Sequence, residues 1–170
     1  EDDADAADGE ALATYTREWG LIVPAGNPAD VSGLADLFEV EGFYNLPLSS
    51  ALRSAFDAAL DEIAAESGAS RREITERIHG YDRTVSGIRS PARRVADGSA
   101  TVGLGLRFAE TVLDVDFVPI DAQRLSVVPA TDRLGKSGMR TLQSVLEREL
   151  DSVADSTLGY DTQGTAASES

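Results

Sequence analysis

Hydrophobic positions recur at helical spacing after Ser50: Leu52, Phe56, Leu60, Ile63 and Ala64 define one stripe, with Arg53, Asp57, Asp61, Glu62 and Glu66 between them. That pattern predicts an amphipathic helix with its apolar face in a core and the charged set in solvent. Gly68 closes it. Phe43, Tyr44 and Asn45 ahead of it read as a short strand, with Pro47, Ser49 and Ser50 forming a tight polar turn between the two. Ser49 or Ser50 is the expected N-cap, its hydroxyl accepting from an orphan N–H of the first turn. Strand, turn and helix together present N–H groups, hydroxyls and Arg53 at the positive end of a helix dipole, a recurrent way to hold an anion. An ordinary capped helix is the plainer account of the same pattern.

The remaining periodicities place further elements in order. Trp19 to Val23 is an apolar run ended by Pro24 and the turn Ala25-Gly26-Asn27-Pro28, hence a strand. Val31 to Phe38 predicts a short helix, with Asp30 or Ser32 near its start and Leu34, Leu37 and Phe38 facing inward. Ser70 followed by Glu73 is a capping box, so a helix over Arg71 to Ile78 with Ile74 and Ile78 buried is expected. Ser90-Pro91 starts another, ended at Asp97-Gly98. The Gly-punctuated run Ala100 to Leu104 suits a strand closely approached by other backbone. Arg107 to Leu113 reads as a helix, Val115 to Ile120 and Leu125 to Val128 as two strands, and Gly138 to Val153 as a last helix carrying Leu142, Val145, Leu146, Glu149 and Leu150. The alternation predicts an α/β fold with a mixed or mostly parallel sheet flanked by helices, in which ligands sit on loops at the carboxyl ends of strands. Residues 14–162 form this domain. The acidic stretch 1–13 reads as a solvated, disordered linker or tail, and 163–170 as a polar tail.

Charge and composition narrow the functional classes. Acidic residues outnumber basic ones 30 to 15, for a net charge of -15. Lys136 is the sole lysine. This resembles the haloarchaeal-like composition of salt-adapted proteins, in which surface acid maintains hydration and solubility. It also disfavours nonspecific nucleic-acid binding. With no cysteine, disulfides, thiolate metal sites and cysteine nucleophiles are excluded, and the single histidine, His79, leaves no imidazole pair for a zinc site or relay. No run reaches membrane-spanning length and no signal-peptide pattern is present, so a cytoplasmic protein is expected. Starting at Glu1 without Met, the chain reads as a fragment or processed product of something longer.

Several short motifs then follow one another in a recognisable order: GLIVPAGNP (Gly20 to Pro28), GLADL (Gly33 to Leu37), the FYN strand running into a helix, GYDR (Gly80 to Arg83), ADGSATVGLG (Ala96 to Gly105), DFVP (Asp116 to Pro119) and GYDT (Gly159 to Thr162). In this the chain resembles the periplasmic-binding-protein-like, substrate-binding domain associated with molybdopterin-biosynthesis proteins and molybdate-responsive regulators. The resemblance spans roughly Gly20 to Thr162. It implies a type II binding-protein fold, two α/β lobes joined by hinge strands, of which this chain is the second lobe plus the returning segment. It also implies binding of a small oxyanion such as molybdate or tungstate. The chain departs from the family where ligand contacts are expected. A loop of the type NRQRGSGTR is replaced by Asn45 to Arg53, keeping Asn45, Ser50 and Arg53. A Thr-His pair after GYDR is replaced by Gly87 and Ile88, the acid of the ADAGLG strand by Thr101, and an EERYDL stretch by Ala122 to Val127.

The expected anion ligands are Ser49, Ser50 and Arg53 with the adjoining backbone N–H groups, joined by Asn45 and Arg124. No catalytic residue, metal or cofactor is expected. His79 sits at a helix end, where an imidazole is favoured by the dipole, and no nucleophile motif accompanies it. The principal reading is a non-catalytic oxyanion-binding or sensing module linked to molybdenum-cofactor metabolism, with a fused or partner enzyme of that pathway. The alternative is a degenerate domain kept for protein–protein contact or homo-oligomerisation, its cleft loops turned apolar at Leu46, Leu48, Ile88 and Leu125. A lesser alternative is a DNA-binding segment in Arg71 to Arg94, where eight Arg or His residues face three acids.

Overall fold

Odd and even positions of the first strand face two different cores. In this computed structural model, which describes residues 13–127, 138, 140, 141, 144, 145, 148 and 159–162, β1 runs Ala13–Pro24. Trp19, Leu21 and Val23 enter one apolar cluster and Ile22 the other. The strand starts earlier than the apolar run suggests, because the half-buried Tyr15, Thr16 and Arg17 pair with Tyr160–Thr162 from the far end of the chain. A 3-10 helix follows at Leu34–Phe38, shorter than expected, burying Leu34 and Leu37. Then come β2 (Phe43–Tyr44), α1 (Ala51–Ser67), α2 (Arg71–Glu76), α3 (Ser90–Ala96), β3 (Val102–Leu106), α4 (Ala109–Val112), β4 (Val115–Val127) and β5 (Tyr160–Thr162).

The fold is mixed α/β, as the alternation of elements predicts. The chain divides into two compact units, Glu18–Gln123 and the flanking Glu1–Arg17 with Arg124–Ser170. β1 and β4 each contribute residues to both. In the Glu18–Gln123 unit the strand order is β2-β3-β1-β4, with β2 parallel to β3 (Phe43 opposite Val102) and β3 antiparallel to β1 (Leu104 opposite Leu21). In the other unit β5 pairs antiparallel with the start of β1, Tyr15 opposite Thr162.

Helices cover both faces of the sheet in the Glu18–Gln123 unit. Leu52, Phe56, Leu60 and Ala64 of α1, with Ile74 of α2, pack on Trp19, Leu21, Phe43, Val102 and Leu104. Ala92 and Val95 of α3 and Ala109 of α4 pack on Ile22, Val115 and Phe117. The Ser70 capping box forms as expected, Glu73 N–H donating to Ser70 Oγ at 3.3 Å and Ser70 N–H to Glu73 Oε2 at 2.7 Å. Both Ile74 and Ile78 are buried, although α2 stops at Glu76. α3 begins at Ser90 with Pro91 in its first turn and ends before Asp97.

Three sequence expectations change. The predicted Arg107 to Leu113 helix contracts to a single turn, Ala109–Val112. The strand expected at Ala100 to Leu104 lies two residues later. The two strands expected at Val115 to Ile120 and Leu125 to Val128 are one continuous strand, β4, as far as Val127; Val128 lies outside the described residues. Asp121, Ala122 and Gln123 continue the strand; the in–out alternation slips at Asp121 and Ala122, both exposed, and resumes at Gln123, and Pro119 is tolerated because no ladder N–H is required of it on an outer strand. Of the helix expected from Gly138 to Val153, residues Gly138, Arg140, Thr141, Ser144, Val145 and Arg148 are helical. Leu142, Leu146, Glu149 and Leu150 lie outside the described residues, as do the acidic stretch before Ala13 and the tail 163–170.

The close backbone approach expected of the Gly-rich β3 occurs at Gly103. A Cβ there would sit 2.9 Å from Pro91 Cβ and 3.0 Å from the Pro91 carbonyl carbon, so the glycine lets α3 lie directly on the sheet. Gly103→Ala is expected to destabilise the fold by about 1–3 kcal/mol through overpacking. Urea denaturation checks this, and an unchanged midpoint would show that α3 yields freely.

Candidate functional site

β2 and β3 are parallel, so the turn from Asn45 to Ser50 leaves the sheet at their carboxyl edge and enters α1. The turn is built around two buried polar side chains. Asn45 is fully buried: its Nδ2 donates to the Tyr81 carbonyl at 3.0 Å and its Oδ1 accepts from Leu46 N–H at 2.9 Å. Its backbone N–H donates to the Arg83 carbonyl at 2.7 Å and its carbonyl accepts from Val85 N–H at 3.1 Å, pairing it with Thr84 as a parallel bridge.

Arg53 departs from its predicted place on the solvent face. It is only 3% exposed. Its Nη1 donates to the Leu46 carbonyl at 2.9 Å, its Nε to Asp57 Oδ1 at 3.0 Å, and its guanidinium lies 4.4 Å from the centre of the Tyr81 ring. The Tyr81 hydroxyl donates to the same Asp57 oxygen at 2.9 Å, and Arg71 approaches the other Asp57 oxygen at 3.5 Å. Burial works against the Arg53 charge, but Tyr81 and Asp57 outweigh it and the guanidinium is held above its ordinary pKa. A helical wheel places Arg53 among acids and cannot show Tyr81, which arrives from 28 residues along the chain.

Tyr81 belongs to the GYDR motif, and so does the residue that brings it there. Gly80 has φ of 108°, and a Cβ on it would lie 2.1 Å from the Phe43 carbonyl oxygen. Tyr81 and Asp57 are the site-forming residues that sequence reasoning missed as such; the GYDR motif was the available signal for the first.

Ser50 occupies the N-cap position with extended backbone, φ −83° and ψ 129°, but its hydroxyl makes no capping bond. This corrects the expected hydroxyl cap. Backbone contacts alone set the helix start: Ser50 N–H donates to the Pro47 carbonyl and Ser54 N–H to the Ser50 carbonyl. The N–H groups of Ala51, Leu52 and Arg53 have no hydrogen-bond partner among the described residues. Ser49 is exposed, Ser50 half-buried and Leu48 is 76% exposed. The geometry therefore joins Ser49, Ser50 and the first turn of α1 at one edge, with Asn45 and Arg53 beneath them. Arg124 is exposed on β4 and belongs to the other unit.

His79 is exposed and contributes its carbonyl to Phe43 N–H. Among the described residues no cluster of His, Cys, Asp or Glu is arranged to hold a metal ion, and no helix is long and apolar enough to cross a membrane. Within the basic stretch, Arg71 and Arg72 are ion-paired with Asp57, Asp61 and Glu76.

A family model described as a PBP superfamily domain matches residues 5–147. No curated protein matches the chain. Among solved structures, one described as a two-component system protein mediating signal transduction aligns with TM-score 0.65 and 13% identity over 93% of this chain and 57% of that one. An ABC transporter structure from Clostridium perfringens aligns with TM-score 0.65 and 14% identity over 95% and 57%. A sulfate-binding protein of Mycobacterium tuberculosis aligns with TM-score 0.61 and 19% identity over 96% and 61%. These likenesses are of fold, and the chain spans less than two thirds of each structure's length.

Arg53→Ala is expected to cost about 1–3 kcal/mol, because it strips the buried Leu46 carbonyl of its donor and the half-buried Asp57 carboxylate of one of its three partners. Arg53→Lys keeps the charge but loses the planar fork and is expected to recover less than half of that loss. Denaturant titration of both variants checks this; an Arg53→Ala midpoint matching the parent protein would place the residue outside the framework.

Proposed function

Because the chain belongs to the PBP superfamily, we propose that it is a non-catalytic module that reversibly binds a small tetrahedral oxyanion at the start of α1. The observation that carries this reading is the uncapped first turn. The N–H groups of Ala51, Leu52 and Arg53 have no hydrogen-bond partner among the described residues, and they directly follow Ser49 and Ser50 on a turn whose backbone is held by the Asn45 and Arg53 side chains. Neutral donors at a helix N-terminus suit a dianion that must be held and then released, since the dipole stabilises charge without a countercharge of its own. Asn45 and Arg53 act in this proposal as positioning residues, their side-chain donors engaged with the Tyr81 and Leu46 carbonyls and with Asp57. The sulfate-binding neighbour supports the choice of ligand class. The order of the sequence motifs supports molybdate or tungstate and a tie to molybdenum-cofactor metabolism, through a fused or separate enzyme.

A second reading is favoured by one observation. Leu48, 76% exposed, stands as a large apolar side chain on the turn itself, and Ile88, 38% exposed, is another left at the surface. On that reading the domain is a contact or self-association module.

Thermal unfolding in concentrated KCl with molybdate, tungstate or sulfate separates the two. A ligand at one hundred times its Kd adds about 2.7 kcal/mol, and the oxyanion reading predicts a melting temperature higher by about 5 °C or more. Ser50→Asp places a capping carboxylate at the same N-terminus. It is expected to raise the stability of the free protein by about 0.5 kcal/mol or more while abolishing the oxyanion effect. If no oxyanion shifts the parent protein, while Leu48→Ser disperses a self-associated species in sedimentation, the contact reading replaces it.

A further inference from the structure

The arginines of the Glu18–Gln123 unit fall into two groups. Arg53, Arg71, Arg72 and Arg107 all pair with carboxylates at 2.6–3.5 Å. Arg77, Arg83, Arg89, Arg93 and Arg94 have no carboxylate within 4.0 Å among the described residues, in a chain that carries 30 acids. Arg77 lies over Phe38 and Arg89 over Phe108. Arg93 and Arg94 instead line an open groove of about 310 Å³, together with Val85, Ser86, Ser90 and Asp97.

The groove sets two cations against one carboxylate, Asp97, which offsets part of the Arg94 charge and leaves the lining net positive. Arg94 is backed by the Tyr44 ring, 5.6 Å from its guanidinium carbon, which orients the cation without neutralising it. Asp97, the one carboxylate in the lining, has its Oδ1 committed to Ser99, accepting from the backbone N–H at 2.9 Å and from the hydroxyl. The Ser90 hydroxyl donates to the Ser86 carbonyl and fastens that segment to α3. The Ser86 hydroxyl makes no hydrogen bond among the described residues. Arg93 and Arg94 line the same groove, and a ligand carrying two negative charges can accept from both guanidinium forks.

We propose that this groove is a second anion site, separate from the turn at α1, which takes a phosphate-type dianion, free or as a phosphate monoester, on Arg93, Arg94 and the Ser86 hydroxyl. Its volume leaves room for a small organic group beyond the phosphoryl oxygens. The planar guanidinium matches that group in a way an ammonium would not.

Titration of the ¹⁵N-labelled protein with inorganic phosphate, and separately with glycerol 3-phosphate, at constant ionic strength tests this. Saturable amide shifts are expected across Ser86 to Asp97. The double variant Arg93→Gln, Arg94→Gln alters only exposed side chains and is expected to fold normally while weakening binding there by about tenfold or more. Ser50→Asp, which disables the turn, leaves the groove shifts in place, so failure of one site is read apart from failure of the other. Tighter binding of glycerol 3-phosphate identifies a phosphate ester as the ligand, and response to inorganic phosphate alone identifies the free oxyanion. Shifts that stay linear with concentration, or that persist at full affinity in the double variant, overturn the proposal.

Discussion

A buried guanidinium holds the turn that the rest of the Glu18–Gln123 unit converges on. Arg53 ties together three stretches of chain: the Leu46 carbonyl ahead of α1, Asp57 one turn along the helix, and Tyr81 from the segment after α2. An unpaired charge in that position would be strongly unfavourable, so the arrangement exists only when all three partners are in place. Asn45 does the same for the backbone beside it, bonding the Tyr81 carbonyl and Leu46 N–H. The carboxyl end of β2 is thereby fixed to the GYDR segment from two directions. A loop fixed in this way can present backbone N–H groups in a set geometry without the ligand having to order them, which is the general route to binding at low entropic cost.

The motifs that mark the family serve chiefly to make such turns. Asn27 of GLIVPAGNP adopts φ of 46° and clamps Val31 through both side-chain atoms, at 2.9 and 3.0 Å. Gly80 of GYDR and Gly103 of the β3 motif allow backbone approaches that a side chain would block. Gly87, with φ of 89° and its carbonyl accepting from Ser90 N–H at 2.9 Å, makes a further turn of this kind ahead of α3.

Much of the architecture was legible in the sequence because local patterns determine it. The Leu52, Phe56, Leu60 stripe and the Ser70–Glu73 box act within one helix, and both formed as read. What local patterns could not carry was the meaning of polar residues whose partners are distant. Arg53 sits among acids on a helical wheel and looks solvated, yet an aromatic ring from beyond α2 covers it. Ser50 has the right identity for a hydroxyl cap, but the hydroxyl is not used and the helix starts on backbone contacts. The continuity of β4 was hidden by a run of polar residues that an outer strand readily tolerates.

Amide hydrogen exchange resolved at Ala51, Leu52 and Arg53, with and without saturating molybdate or tungstate, tests the central claim most directly. These three N–H groups have no partner among the described residues, while Ser54 N–H is already bonded to the Ser50 carbonyl. The account predicts fast exchange at the three in the free protein and marked slowing when the oxyanion is bound, with little change at Ser54. Slowing spread evenly over the fold, confined to another segment, or absent at saturation would contradict it.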